Sequence, residues 1–189
     1  MAAFFNSFLI VALAEMGDRT QILSLLLAAQ FKKKWTVLFG VFIATLINHG
    51  LAALSGQWIS SFLTPLNLKI GLVILFLGFS IWILIPDRLD DQKPTSHSSA
   101  LITTIITFFM AEMGDKTQFA TITLAARYQS TLWVTLGTTC GMLLSNALAI
   151  FLGEKLTQKL PLQKIRWAAA VIYLAFALLI AAEIYRSTH

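Results

Sequence analysis

Ala14-Glu15-Met16-Gly17-Asp18-Arg19-Thr20-Gln21 recurs as Ala111-Glu112-Met113-Gly114-Asp115-Lys116-Thr117-Gln118, with a single position changed, Arg against Lys. Each copy lies inside a long apolar segment, where a carboxylate is costly and is kept to line an ion or substrate path. Three-residue spacing puts Glu15 and Asp18 on one face of a helix, and Glu112 and Asp115 on one face of another. Two such helices packed together would bring four carboxylates to one place near the middle of a membrane. Gly17 and Gly114 let backbones approach closely, or let the helix unwind and offer carbonyl oxygens.

Four carboxylates carry four negative charges. Arg19 and Lys116, if they face the same cavity, leave two, which one divalent cation or two protons would neutralise. Crowded carboxylates retain protons when a metal departs, which is a natural basis for exchanging a metal dication against protons. Carboxylate, amide and hydroxyl oxygens suit Mg, Ca or Mn. Gln21 and Gln118 are expected as additional metal ligands, and Thr20 and Thr117 as further polar groups of the cavity. The sequence has no Cys/His cluster to favour zinc or copper. Met16 and Met113 could favour Mn over Ca through a thioether, or simply pack against neighbouring helices. The competing structural reading of the motif is pairing within one helix, Glu15 with Arg19 and Glu112 with Lys116 at i,i+4, which leaves the two aspartates unexplained.

Asn48 and His49 align with Ser145 and Asn146 in the other half of the chain. Asn48 and Asn146 either line the same cavity or make hydrogen bonds that fix helix packing. His49 could relay protons, but its counterpart is Asn146, and a one-sided relay favours packing.

These groups must be held by membrane helices. Of the 189 residues 57% are hydrophobic and 12% charged, with a mean hydropathy of +0.76; a soluble domain carries about twice that charged fraction. About 20 apolar residues span a bilayer, and six segments qualify, near 4–28, 36–57, 67–85, 100–126, 131–153 and 166–185. The single Cys140 excludes an intrachain disulfide, and Glu15 interrupts what would be the apolar core of a signal peptide, so the first helix is expected to remain in the mature protein. The halves align without a gap at an offset of 97 residues: Gly40 meets Gly137, Leu46 meets Leu143, and Gly56 meets Gly153. An odd number of spans per repeat reverses the direction of the second copy. The expected architecture is therefore an all-α integral membrane protein, six transmembrane helices as two inverted three-helix repeats. Residues 1–86 form the first repeat, 87–99 a charged cytoplasmic linker, and 100–189 the second.

The net charge of +5 is a topology signal and no argument for nucleic acid. Lys32, Lys33, Lys34, Arg88, Lys93, Lys155, Lys159, Lys164 and Arg166 fall in loops of one side; Lys69, Arg127 and Arg186 fall on the other. The positive-inside rule places the first group in the cytoplasm and both termini outside. Trp35, Trp58, Trp82, Trp133 and Trp167 lie near span ends, where indole prefers the interface. Glu183 is expected at the interface at the end of the sixth span.

The two motifs resemble the E-x-G-D-K/R-S/T signature of uncharacterised protein family sixteen, whose members include bacterial MneA-type manganese exporters and Golgi and chloroplast manganese/calcium transporters. The resemblance covers essentially the whole chain. It implies manganese, in some members calcium, moved by cation/proton antiport, with the motif acids carried over to Glu15, Asp18, Glu112 and Asp115. The chain lacks the long N-terminal extension of organellar members, so a multi-pass protein of a bacterial inner membrane is expected. The partners are a divalent metal ion, protons and membrane lipid; the metal is a transported substrate, and no cofactor is expected. Both repeats are in one chain, so a monomer suffices for the site, and a homodimer stays open. The rival readings are a Ca2+ or Mg2+/proton exchanger on the same scaffold and, more remotely, an intramembrane lipid-phosphate phosphatase. The latter needs convergent Arg or Ser groups for phosphate, and the sequence shows no Gly-x-Ser-Arg-like loop. An enzyme is not expected.

Overall fold

The computed structural model describes residues 1–85, 99–153 and 162–188, and all regular structure among them is helical. In chain order the helices are α1 (Ala2–Glu15), α2 (Arg19–Phe31), α3 (Lys34–Ser61), α4 (Pro65–Trp82), α5 (Ala100–Glu112), α6 (Lys116–Tyr128), α7 (Thr131–Leu152) and α8 (Leu162–Thr188). The expected linker 87–99 lies, except for Ser99, outside the described residues, as do Arg88, Lys93, Lys155 and Lys159.

Four helices are long and apolar enough to cross a membrane: α3, α4, α7 and α8. The expected continuous spans 4–28 and 100–126 are corrected. Each is two half-helices, α1 with α2 and α5 with α6, interrupted at the acidic motif. Local signals explain the other ends. α4 starts with Pro65 at its first position, after Thr64, whose side-chain oxygen accepts a hydrogen bond from the Asn67 N–H (3.3 Å), an N-cap that satisfies one otherwise orphaned donor. α2 and α6 both end on a left-handed residue, Lys32 (φ +54°) and Gln129 (φ +51°), which are 97 positions apart.

α1 packs along α7, and α5 along α3. The contacts correspond. A Cβ on Gly40 would stand 2.7 Å from Thr104 Cβ, and one on Gly137 would stand 3.0 Å from Ser7 Cβ. Gly40 and Gly137 are 97 residues apart, and so are Ser7 and Thr104. The missing side chains allow each half-helix to sit directly against a long one. Gly137 and Gly141 touch the backbone of Phe4 and Phe8, so α1 and α7 start at the same end of the bundle. Ser60 and Gln57, late in α3, bond to Gln129 and Thr131, which puts the end of α3 there too. By the same pairing, α5 begins at the opposite end, beside the start of α3.

Two apolar clusters flank the centre. Phe76 and Phe79 of α4 meet Tyr173 and Ile180 of α8 together with Ile10, Ala120 and Leu124. Val11, Leu23, Leu27, Val41, Phe108 and Met142 form the other. The outward faces are also apolar: Ile74 and Ile81 on α4 and Val171, Leu178 and Leu179 on α8 are all exposed. Exposed apolar surface on this scale suits lipid and not water. Trp35, Trp58, Trp133 and Trp167 are exposed as well, at helix ends. The chain is an all-helical, multi-pass membrane protein.

Candidate metal centre

The two interruptions are built alike. α1 ends at Glu15, Met16 is extended (ψ 113°) and Asp18 is the extended N-cap of α2 (φ −82°, ψ 165°). α5 ends at Glu112, Met113 is extended (ψ 119°) and Asp115 caps α6 (φ −81°, ψ 166°). Between them Gly17 takes φ +81° and Gly114 φ +78°, a left-handed conformation that glycine alone adopts without a Cβ penalty. The expectation that Glu and Asp share one face of a continuous helix is therefore corrected. Each glutamate closes one half-helix, and each aspartate opens the next.

Glutamine secures the break. The Gly17 N–H donates to Gln21 Oε1 (3.0 Å) and the Gly114 N–H to Gln118 Oε1 (2.8 Å). A polar side chain three residues into a helix that reaches back to an orphaned N–H is the logic of a capping box. Each glutamine amide then crosses to the other half of the chain. Gln21 Nε2 donates to the Ser145 carbonyl (2.9 Å) and hydroxyl (3.3 Å); Gln118 Nε2 donates to Asn48 Oδ1 (2.6 Å). Asn48 and Ser145 are equivalent positions. The amide oxygens of Gln21 and Gln118, expected as metal ligands, are thus engaged with backbone, and both residues act first on the geometry of the break.

The acids converge in part. Carboxylate oxygens of Glu15, Glu112 and Asp115 lie within 4.8 Å of one another, and all three residues are buried. Opposed ligands of a cation bound at about 2.3–2.6 Å stand about 4.6–5.2 Å apart, so the spacing fits one ion held by oxygen. Asp18 is buried too but lies outside this group of three. Thr20 Oγ1 donates to Glu15 Oε2 (3.0 Å) and Thr117 Oγ1 to Glu112 Oε2 (3.2 Å), which aims each carboxylate. Glu112 Oε1 is buried and accepts no hydrogen bond among the described residues, leaving one oxygen available to a ligand.

The Arg/Lys difference is structural. Arg19 Nη2 donates to the Ala111 carbonyl (3.0 Å) and stands 3.5 Å from Asp115 Oδ1. It crosses from one motif to the other, so the i,i+4 pairing of Arg19 with Glu15 is corrected. Buried Lys116 turns elsewhere, its Nζ 3.4 Å from the Ile85 carbonyl past the end of α4. The two cations do not share one position in the cavity.

Asn146 Nδ2 donates to the Met142 carbonyl (3.0 Å) within α7, and His49 makes no side-chain hydrogen bond among the described residues, so neither supplies the interhelical bond expected of a packing residue. Met113 is 55% exposed, which does not fit the expected packing against neighbouring helices. Glu183 pairs with Arg127 and, at 3.9 Å, with Lys69.

Sequence reasoning missed Arg166, which it assigned to topology. Arg166 Nη2 lies 3.4 Å from the Gly17 carbonyl in the first break. Its repeat equivalent is Lys69, so a basic residue at the same place in both halves was the available signal. The carbonyls of Ala111 and Ser145 left no trace in residue type.

The two halves of the chain, residues 3–91 and 100–188, each match the model of the family described as divalent cation/proton antiporter GDT1. A Vibrio cholerae protein described as "Putative manganese exporter" is 47% identical over 169 residues, covering 89% of this chain and 84% of that one. GDT1-like protein sll0615 of Synechocystis is 26% identical, covering 94% of this chain and 95% of its own length. Protein PAM71, chloroplastic, of Arabidopsis thaliana is 27% identical over 97% of this chain and 57% of its own. No solved structure matches. A match in both halves, each containing one acidic break, places the chain in the GDT1 family of divalent cation/proton antiporters.

Proposed function

We propose that the protein exports Mn2+ from the cytoplasm in exchange for protons, as a secondary transporter of a bacterial inner membrane with both termini outside. The observation that carries this reading is the buried group of Glu15, Glu112 and Asp115, with oxygens from both motifs within 4.8 Å. Three carboxylates and the guanidinium of Arg19 at 3.5 Å leave two formal negative charges. One dication or two protons neutralise that remainder, so either cargo can occupy a buried site that should not stay charged. Asp18, Gln21, Gln118, Thr20 and Thr117 complete the surroundings, Asn48 supports Gln118, and Lys116 stands apart.

In this reading the chain is two inverted three-helix repeats, α1–α4 and α5–α8, with each broken helix pair crossing the membrane as one span. The equivalent glycine contacts, left-handed caps and glutamine bonds at an offset of 97 residues support it. Movement of one repeat against the other would open the shared site to alternate faces. The name of the Vibrio cholerae relative supports Mn2+ as cargo. Oxygen ligands also suit Ca2+. Calcium/proton exchange is therefore the second reading.

The test is Mn2+ flux into proteoliposomes under a proton gradient, with excess Ca2+ as competitor. Wild type is expected to move Mn2+ against Ca2+ competition, and Glu15→Gln and Asp115→Asn are expected to lose flux while remaining folded. Wild-type flux in both substitutions would reject the site; abolition of Mn2+ flux by equimolar Ca2+ would favour the second reading.

A further inference from the structure

Outside the acids and Arg19, eight side chains carry buried polar atoms without a hydrogen-bond partner among the described residues: Ser7 on α1, Thr45, Asn48 and His49 on α3, half-buried Thr107 on α5, and Thr135, Thr139 and Asn146 on α7. Five of the buried ones, Ser7, Thr45, His49, Thr135 and Thr139, make no side-chain hydrogen bond there at all. These five are at most 7% exposed. Thr45 and His49 are four residues apart, as are Thr135 and Thr139, so each pair shares a helix face. Position 50 of α3 faces Thr135, whose Cγ2 would be 3.9 Å from a Cβ on Gly50, and Ser7 Cβ would lie 3.0 Å from one on Gly137. Ser7, Thr135 and Thr139 therefore belong to the half of the bundle where α1 and α7 begin and α3 ends, and His49 and Thr45 run from there to the middle of α3.

The other half is different at the equivalent positions. Thr45 becomes Met142, Thr135 becomes Leu38 and Thr139 becomes Phe42. Ser7 becomes Thr104, whose hydroxyl donates to the Ala100 carbonyl (2.7 Å). His49 becomes Asn146, whose Nδ2 donates to the Met142 carbonyl while its Oδ1, like Thr107 Oγ1 on α5, has no partner among the described residues. Between α3 and α7 on that side is an apolar groove of about 480 Å³, lined by Trp35, Leu38, Phe42 and Leu143 among others. The repeat is thus symmetric in backbone but differs in polarity at three α3–α7 positions, Thr45, Thr135 and Thr139.

Burying a hydroxyl or imidazole without a partner is destabilising. Three of the five, Thr45, Thr135 and Thr139, have no packing rationale, since apolar residues fill the same positions on the other side. Each would be satisfied by water, which occupies buried sites that are polar and offers donors and acceptors to several groups. The line also reaches the metal centre. Asn48, between Thr45 and His49 on α3, accepts from Gln118, the residue that holds the Gly114 break.

We infer that the α3–α7 seam on the side where α1 begins is a hydrated route that carries protons between that face of the membrane and the acidic group, while the opposite half of the seam excludes water. This rests on the transport reading for its purpose but not for its measurement. The route needs hydroxyls and an imidazole only as partners for water, and lies on the face from which protons would enter during export.

Single cysteines at Thr135 and Thr139, and at their equivalents Leu38 and Phe42, in a Cys140→Ser background, would be treated with a membrane-impermeant thiol reagent from each face of the vesicle during turnover. Labelling at positions 135 and 139 from the face bearing the N-terminus is expected to be at least about tenfold faster than at 38 or 42 from either face, since reaction requires a hydrated thiolate. Equal rates at both sets, or no reaction at 139, would overturn the route. The second measurement is proton flux coupled to Mn2+. Thr45→Val with Thr139→Val is expected to slow it about fivefold at unchanged Mn2+ affinity, with Thr139→Ser keeping wild-type flux; unaltered proton flux in the double valine variant would equally overturn it. Sided labelling does not depend on Mn2+ being the cargo, so failure of Mn2+ transport in wild type would be distinguishable from failure of the route.

Discussion

Removal of the Arg19 charge tests whether this side chain competes with the metal. The guanidinium bonds the Ala111 carbonyl at 3.0 Å and faces Asp115 at 3.5 Å. At that separation and an effective dielectric of about 20, the attraction between unit charges is on the order of 4–5 kcal/mol. Arg19 is 32% exposed at its side chain, and solvent screening together with side-chain freedom reduces such a pair to about 1–2 kcal/mol. A dication entering the group must displace that attraction or tolerate the nearby positive charge. Arg19→Gln removes both effects, so metal affinity is expected to rise about five- to thirtyfold, with slower release and a lower maximal rate. Isothermal titration of Mn2+ into purified protein reads the affinity, and proteoliposome flux reads the rate. Weaker Mn2+ binding in Arg19→Gln would refute the reasoning, since it would mean that Arg19 organises Asp115 for the metal and does not oppose it.

Gly114→Ala is expected to cost about 1–2 kcal/mol, because φ is +78° while a Cβ would meet nothing within 4 Å; Gly56→Ala, whose Cβ would overlap the Ile122 carbonyl, should destabilise far more, as read by thermal unfolding in detergent. Gln21→Leu removes the acceptor for the Gly17 N–H and a buried bond to Ser145, an expected loss of about 1–3 kcal/mol. Gln118→Leu should cost less, because Gly114 is exposed; the order of the two melting points checks this. Glu183→Gln loosens a half-exposed pairing with Arg127 and Lys69, so it should change stability by at most about 1 kcal/mol and leave Mn2+ flux unaltered.

The repeat, the acids and the membrane class were legible in the chain because each is written in residue type. Carboxylates in apolar sequence and a gap-free offset need no geometry to be noticed. The broken helices were not, because Glu and Asp three apart fit a continuous helix as well as a broken one. One local signal favoured the break. Asp18-x-x-Gln21 and Asp115-x-x-Gln118 have the spacing of a helix start, immediately after a glycine. The route of Arg19 to Asp115 was beyond sequence, since i,i+4 spacing favoured Glu15 and only the bend of the backbone sends the guanidinium across. The glutamines illustrate the same limit. Their type fits a ligand, and only the bend of the backbone shows that each oxygen also accepts from the glycine N–H of its break.

The break also makes the two acids of a motif unequal. A helix carries partial negative charge at its C-terminal end and partial positive charge at its N-terminal end. Glu15 and Glu112 are last residues of α1 and α5, and Asp18 and Asp115 cap α2 and α6. The aspartates therefore stand where an anion is favoured, and the glutamates where a cation is. A dication placed among Glu15, Glu112 and Asp115 meets the carbonyl ends of both α1 and α5 as well as the carboxylates. A continuous helix through the motif would keep those carbonyls in its own hydrogen bonds and offer no such field. The glycine at φ near +80° is thus as much a part of the proposed cation site as the acids beside it, because it ends each half-helix at its glutamate.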